Sequence, residues 1–311
     1  MKNKFVILVV LFVVLLLGGA TFYVISKYSF SLKKITVSIR EDIQTIDPAY
    51  AYDDYSLNVI SQIYEPLYQY HYLKRPYQIE PLLAGAEPIY SQDKKQLIIK
   101  LRHKIPYHLH PAIKEDRFVK AQDFINQLKR IAWPGTKSPG DWLFLGKIVG
   151  FAQFQEKIKD KPIEEIFAEE IEGAQALDDY TLMFNLYKVD NQFLHYLCLN
   201  FLVPIPLEVI LYEKNNLASV EIGTGPYSLQ ERTKSQNIVL QKFKDYRKDF
   251  YPEVGDRYSH AENLLSNRNQ KIPFLDQIIF SISSEEKAWE DLLQKKIELM
   301  EVSKPKAAIL S

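Results

Sequence analysis

Residues 35–67 read ITVSIREDIQTIDPAYAYDDYSLNVISQIYEPL, and the order of patterns within them decides the fold class. Ile35 to Arg40 alternates β-branched with other side chains, the period-two mark of a half-buried strand. Asp47-Pro48 then turns the chain, because proline fixes φ and offers no N–H to a ladder. Asp53-Asp54 stands where a helix cap belongs, ahead of apolar Leu57, Ile60, Ile63 and Tyr64 at helical spacing. Working outward, three hairpins are predicted: Ala86–Tyr90 with Gln96–Leu101, Ala174–Leu177 with Thr181–Tyr187, and Tyr227–Glu231 with Ile238–Phe243. Helices are predicted over Ala121–Trp133, Ile148–Ile158, Phe193–Leu199 and Leu207–Tyr212. In the first of them Phe124, Ile125, Leu128 and Ile131 form the apolar face, and Pro134-Gly135 ends it. Strand Leu275–Ile282, helix Ser284–Lys295 with Ser284 as cap, and strand Ile297–Val302 follow. Tyr246–Lys271 is the most polar stretch and reads as loop. The sum is α+β, without the regular strand–helix alternation of a nucleotide-binding sheet.

The chain has 311 residues, 47% hydrophobic and 13% aromatic, which excludes a disordered polymer and suffices for one large domain or two ordinary ones. Lys+Arg 39 against Asp+Glu 39 leaves no net charge. Nucleic acid is therefore not expected as a partner, since phosphate neutralisation needs a basic excess. The single cysteine, Cys198, excludes an intramolecular disulfide framework and reads as a buried, inert thiol. No nucleophile elbow is present. Gly135–Gly140 is followed by Asp141-Trp142 where a phosphate loop needs Lys-Ser/Thr, and Gly223-Thr224-Gly225 lacks the third glycine of a dinucleotide loop. His103, His108 and His110 read as exposed polar residues beside a hairpin, and Glu164-Glu165 and Glu169-Glu170 as a solvated face. No catalytic group, metal ligand or cofactor site emerges.

Met1–Lys4 carries two lysines, and no charge follows from Phe5 to Ser26. Phe5–Ile25 would run about 31 Å as a helix, close to the thickness of a hydrocarbon core. This order predicts membrane insertion with the remainder outside the cytoplasm, either as a retained anchor or as a signal cleaved near Gly18-Gly19-Ala20. The renewed apolar run Phe22–Ile25 favours the anchor.

Several collinear segments resemble the family-5 extracytoplasmic solute-binding proteins, the oligopeptide- and dipeptide-binding components of ABC importers. Gln44-Thr45-Ile46-Asp47-Pro48-Ala49 resembles that family's Leu-Asp-Pro segment, Ile63-Tyr64-Glu65-Pro66-Leu67 its Tyr-Glu-x-Leu, and Pro81-Leu82-Leu83-Ala84 its Pro-x-Leu-Ala. Leu101-Arg102 through Tyr107, with Lys120-Ala121-Gln122-Asp123-Phe124, is similar to a further signature. Ala176–Leu182 and Gly223-Thr224-Gly225-Pro226-Tyr227 match two more blocks. The resemblance implies a periplasmic-binding-protein-like fold (type II, cluster C-like): a first lobe from 35–55 and 176–274, an inserted subdomain over 56–175, and the start of a second lobe at 275–311, behind an N-terminal transmembrane segment at 1–34. It implies a monomeric receptor that closes on an extended peptide and delivers it to ABC permease subunits, without catalysis, metal or cofactor. Carried over by position, Asp42-Ile43-Gln44 matches the strand that pairs with the ligand backbone, Thr224-Gly225 a cleft-lining block, and Trp142 an aromatic near the ligand.

The resemblance also sets departures. No lipid-attachment cysteine follows the apolar run, and relatives are much longer. Most of a second lobe is missing by that comparison, and the apolar end Ala307–Leu310 favours a truncated chain. The expectation is the N-terminal part of a peptide receptor. The alternative is a membrane-anchored interaction module, a degenerate receptor fragment that transports nothing.

Overall fold

The computed structural model describes residues 32–302. The predicted anchor Phe5–Ile25 and the tail 303–311 lie outside them. Among the described residues no helix is long and apolar enough to cross a membrane.

The opening stretch folds as its patterns direct. Strand β1 spans Lys34–Ile39. After the turn, in which Asp47 O accepts from Tyr50 N–H at 3.1 Å, Asp53 caps the helix Asp54–Ile63 by accepting from Ser56 N–H at 2.8 Å. That helix buries Val59, Ile60 and Ile63, each contributing roughly 1.5–3 kcal/mol by leaving water. The remaining strands, in chain order, are β2 (Tyr68–Tyr70), β3 (Ile79–Pro81), β4 (Ile89–Tyr90), β5 (Gln96–Lys100), β6 (Ala174–Asp178), β7 (Thr181–Asn185), β8 (Tyr227–Thr233), β9 (Asn237–Lys242), β10 (Asp249–Phe250), β11 (Lys271–Ile272), β12 (Gln277–Ile282) and β13 (Leu299–Met300). All three predicted hairpins form.

The principal sheet runs β13-β1-β12-β9-β8. Strand β1 is parallel to both its neighbours, while β12-β9 and β9-β8 are antiparallel. The register aligns Ile35, Ile278, Leu240 and Leu229 across four strands, and beside them Val37, Phe280 and Ile238. One face is therefore continuously apolar, and the helix Asp54–Ile63 packs near it at β8. This registry changes the reading of the C-terminal segment. The strand expected to open a second lobe from 275 lies instead at the centre of the sheet that contains β1, and the predicted strand Ile297–Val302 shortens to β13. The reason is pairing: Ile278 and Phe280 complete an apolar face that β1 and β9 leave open between them.

A second sheet has the order β4-β5-β7-β6 and packs against the helix Ala121–Ala132. The division expected between 175 and 176 falls inside β6, and this sheet takes strands from both sides of it. The burial of this helix extends beyond its predicted apolar face. Asn126, Gln127, Lys129 and Arg130 are buried as well, and each polar head finds a partner: Gln127 Nε2 donates to Phe201 O at 2.8 Å and Lys129 Nζ to Phe167 O at 2.9 Å. Polar Tyr246–Lys271 is not simply loop either. It holds the β10–β11 pair, a short helix Arg257–Ala261 capped by Asp256, and a 3₁₀ turn Leu264–Asn267. Its order comes from side-chain anchors rather than a hydrophobic face: Asp256 Oδ2 accepts from Arg75 N–H at 2.8 Å.

Candidate ligand-binding site

Three parallel strands, β1, β12 and β13, present their carboxyl ends on the same edge of the sheet. Ligand crevices in open sheets form outside such ends. The chain leaves β1 at Arg40 and β13 at Glu301, and because Ser38 aligns with Met300 these two residues emerge side by side. Arg40 and Glu301 are ion-paired, Arg40 Nε lies 3.3 Å from Glu301 Oε2, and the Tyr55 hydroxyl donates to that oxygen at 2.8 Å. Hydrogen bonds from Arg40 and Tyr55 hold the Glu301 carboxyl below its ordinary range. Around them opens a cleft of about 740 Å³, lined by residues 37–42, Gln44, the first turn of the helix Asp54–Ile63 with its cap, and Leu299–Glu301. That volume falls in the range of ligand pockets, about 300–1,000 Å³. Its charged lining is mostly acidic: Glu41, Asp42, Asp53, Asp54 and Glu301 against Arg40.

Of the residues expected in a site, Asp42, Ile43 and Gln44 sit at this cleft, but they are not the predicted strand. The segment is irregular. Arg232 Nη2 donates to Ile43 O at 2.7 Å and lies 3.4 Å from Asp42 Oδ1, Ser235 N–H donates to Asp42 Oδ2 at 2.9 Å, and Gln44 N–H donates to Ser56 Oγ at 3.0 Å. Those bonds pull the chain away from ladder geometry. Ile43 is 2% exposed, so its side chain belongs to the core, while Asp42 and Gln44 line the opening.

Thr224 and Gly225 lie elsewhere. Thr224 is 2% exposed and donates its hydroxyl to Glu65 Oε2 at 3.0 Å. Gly225 N–H donates to Ile63 O at 2.8 Å. The pair docks the end of the helix Asp54–Ile63 instead of lining the cleft, and Gly223 shows why glycine stands there: an added Cβ would fall 1.8 Å from Ile63 O. Glu65 is in turn gripped by both terminal nitrogens of Arg247, at 2.6 and 2.8 Å, and by the Tyr246 hydroxyl at 2.9 Å. Trp142 is 52% exposed on a short 3₁₀ turn, with Lys147 Nζ 5.6 Å from its ring centroid, and it does not line the cleft.

His103 is exposed as expected, but the other two histidines of that cluster are not. His108 is buried, with Nε2 2.9 Å from Gly225 O and Nδ1 against the Glu221 carboxylate, and His110 Nε2 lies 3.1 Å from Glu213 Oε1. Among the described residues no three His, Cys, Asp or Glu side chains group as metal ligands. Burial pushes the Cys198 thiol up to about 12. Sequence reasoning missed Arg40, Tyr55, Arg232 and Glu301. The first two follow the strand and the cap directly, and the strand-end rule would have marked them had the parallel pairing been known. Nothing local marks Arg232 or Glu301.

Residues 78–310 match the family model of bacterial extracellular solute-binding proteins, family 5 Middle. Among curated proteins, the chain is similar to the peptide transport periplasmic protein SapA of Haemophilus influenzae, 24% identical over 206 residues, which is 62% of this chain and 36% of that one. Among solved structures it is similar to the ABC transporter-associated periplasmic binding protein DppA of Helicobacter pylori in complex with the peptide STSA, at TM-score 0.64 and 21% identity over 85% of this chain and 45% of that one. Listeria monocytogenes OppA bound to peptide superposes with TM-score 0.64 and 20% identity over 86% of this chain and 46% of that one. Identity this low carries the fold alone. The chain spans somewhat under half the length of those structures.

Proposed function

We propose a function for a chain that belongs to the bacterial extracellular solute-binding proteins of family 5: it is an extracytoplasmic receptor surface for peptides that feed an ABC-type importer. The observation that carries this reading is the open cleft at the carboxyl ends of β1, β12 and β13, floored by main chain and by the Arg40–Tyr55–Glu301 cluster. An extended peptide laid there would meet main-chain groups of residues 40–42, which give affinity without reading side chains. Asp42 and Gln44 would contact it directly, and the irregular backbone leaves room for bridging waters where a ladder bond is absent. Closure by a facing lobe would exclude solvent and present the loaded receptor to permease subunits. The reading involves capture and hand-over with no bond made or broken. The basic-then-apolar N-terminal sequence supports a location outside the cytoplasm, tethered through Phe5–Ile25 or released by cleavage.

The test is calorimetric titration of the protein with mixed di- to pentapeptides. Saturable heat, with Kd on the order of 1–100 μM and weakened at least tenfold by Arg40→Ala, is the expected result. Absence of heat with every peptide pool, or heat only with nickel, opines or sugars, overturns the peptide assignment.

A further inference from the structure

A second pocket of about 610 Å³ opens at the other end of the helix Asp54–Ile63, between the β2–β3 pair and segment 246–252, and it shares no lining residue with the cleft. We propose that this pocket binds a small organic cation, an ammonium or guanidinium on an apolar stem, with Glu80 as its counter-charge and Tyr72 and Phe250 as its walls.

The charges of the pocket argue for that sign. Glu65 is spent on Arg247, Tyr246 and Thr224. Asp249 lies 2.9 Å from Arg102 Nη1 and 2.8 Å from Arg247 Nε. Two carboxylates and two guanidiniums thus cancel in one chain of contacts. Glu80 remains over. One of its oxygens accepts from Gln69 Nε2 at 2.8 Å, and the other lies 3.9 Å from His71 Nε2. Among the described residues no Lys or Arg nitrogen comes within ion-pair distance of it, and its side chain is 31% exposed.

The walls agree. Pro66, Pro81, Pro226 and Pro252 line the pocket; proline has no N–H, so these four positions offer a ligand no backbone donor. The Tyr72 ring is held edge-to-face by Tyr251 at 5.4 Å between centroids, and Phe250, largely exposed, lines the same pocket. A fixed aromatic wall next to a carboxylate that no lysine or arginine pairs with is the arrangement that holds organic ammonium groups. Leu82 and Ile272 accept the apolar stem.

Benzylammonium, benzyl alcohol and phenylacetate, titrated at pH 8 and low salt and followed by two-dimensional NMR, test the proposal. The expected result is saturable shifts for benzylammonium alone, centred on Tyr72, Glu80 and Phe250, with at least a tenfold loss of affinity in Glu80→Gln and in Tyr72→Leu. Equal binding of phenylacetate, shifts centred on residues 37–44 instead, or an affinity unchanged in Glu80→Gln overturns it. Should Glu80→Gln not fold, the Tyr72→Leu variant and the discrimination against benzyl alcohol decide. Because the readout sits at this pocket and not at the cleft, its outcome is independent of whether peptides bind.

Discussion

Arg130 is fully buried within the helix Ala121–Ala132, and its charge is met by Asp47 Oδ2 at 2.7 Å from Nη2, by Gln127 Oε1 at 2.7 Å from Nη1, and by Asn215 Oδ1 at Nε. This bidentate grip fixes the Asp47-Pro48 turn, and with it the start of the path from β1 to the capped helix. Removing one partner of a buried pair leaves an uncompensated charge, so Asp47→Ala is expected to cost about 3–5 kcal/mol, read as a shifted urea midpoint with unchanged slope. Arg130→Met, which removes the charge and keeps volume, leaves Asp47 orphaned and is expected to fall in the same range. Cys198 gives a second prediction at this scale. With its thiol pushed up to about 12, the thiolate fraction at pH 8 is about a thousandfold below that of a free cysteine. Alkylation by iodoacetamide is therefore expected to be slower by a similar factor in the folded protein than in urea. Comparable rates would show an accessible thiolate.

At the scale of elements, the helix Asp54–Ile63 serves both pockets, the cleft at its cap and the second pocket at its other end. Asp53→Ala is expected to lose about 1 kcal/mol through the missing cap bond. Gly223→Ala is expected to lose more, because Ile63 O is backbone and cannot move aside without unwinding the helix end. Thermal melts of the two variants compare directly, and equal losses would contradict the contact. Glu169 tests a different element contact. Hydrogen bonds from Lys157 and Lys161 lower its carboxyl to about 2, tying the end of helix Phe151–Ile158 to the segment after residue 166. A depressed folded value means that this contribution is present above the ordinary carboxylate range and is lost as pH falls toward 2. A carboxyl-detected titration is expected to find its midpoint near 2, and to return it toward the ordinary range of about 4 in the Lys157→Gln, Lys161→Gln double variant.

For the whole molecule, the principal sheet joins residues far apart in sequence, since β1 has β12 and β13 as its neighbours. Deleting 275–302 strips both from β1 and exposes its apolar face. Loss of cooperative unfolding by circular dichroism is expected, whereas an independent lobe beginning at 275 would leave a cooperative remainder. The proposed peptide binding stabilises the same unit by about 2.7 kcal/mol at a ligand concentration of 100 times Kd. A melting temperature that rises by several degrees with a peptide pool, and not with free amino acids, is the expected outcome.

The sequence by itself determined most elements and the α+β class, because strand alternation, caps, turn prolines and helical spacing act within ten residues and leave local marks. It also pointed to the family through short collinear segments. Beyond the hairpins, what it could not determine was which distant segments pair. The parallel neighbours of β1, the burial of Arg130 and His108, and the meeting of Arg40 with Glu301 are contacts across 80 to 260 positions, and no nearby residue records them. The structure alone decided that Asp42 and Gln44 face an opening while Thr224 and Gly225 brace a helix end. A site side chain and a structural one can share a motif, and they differ only in which surface the folded backbone turns toward water.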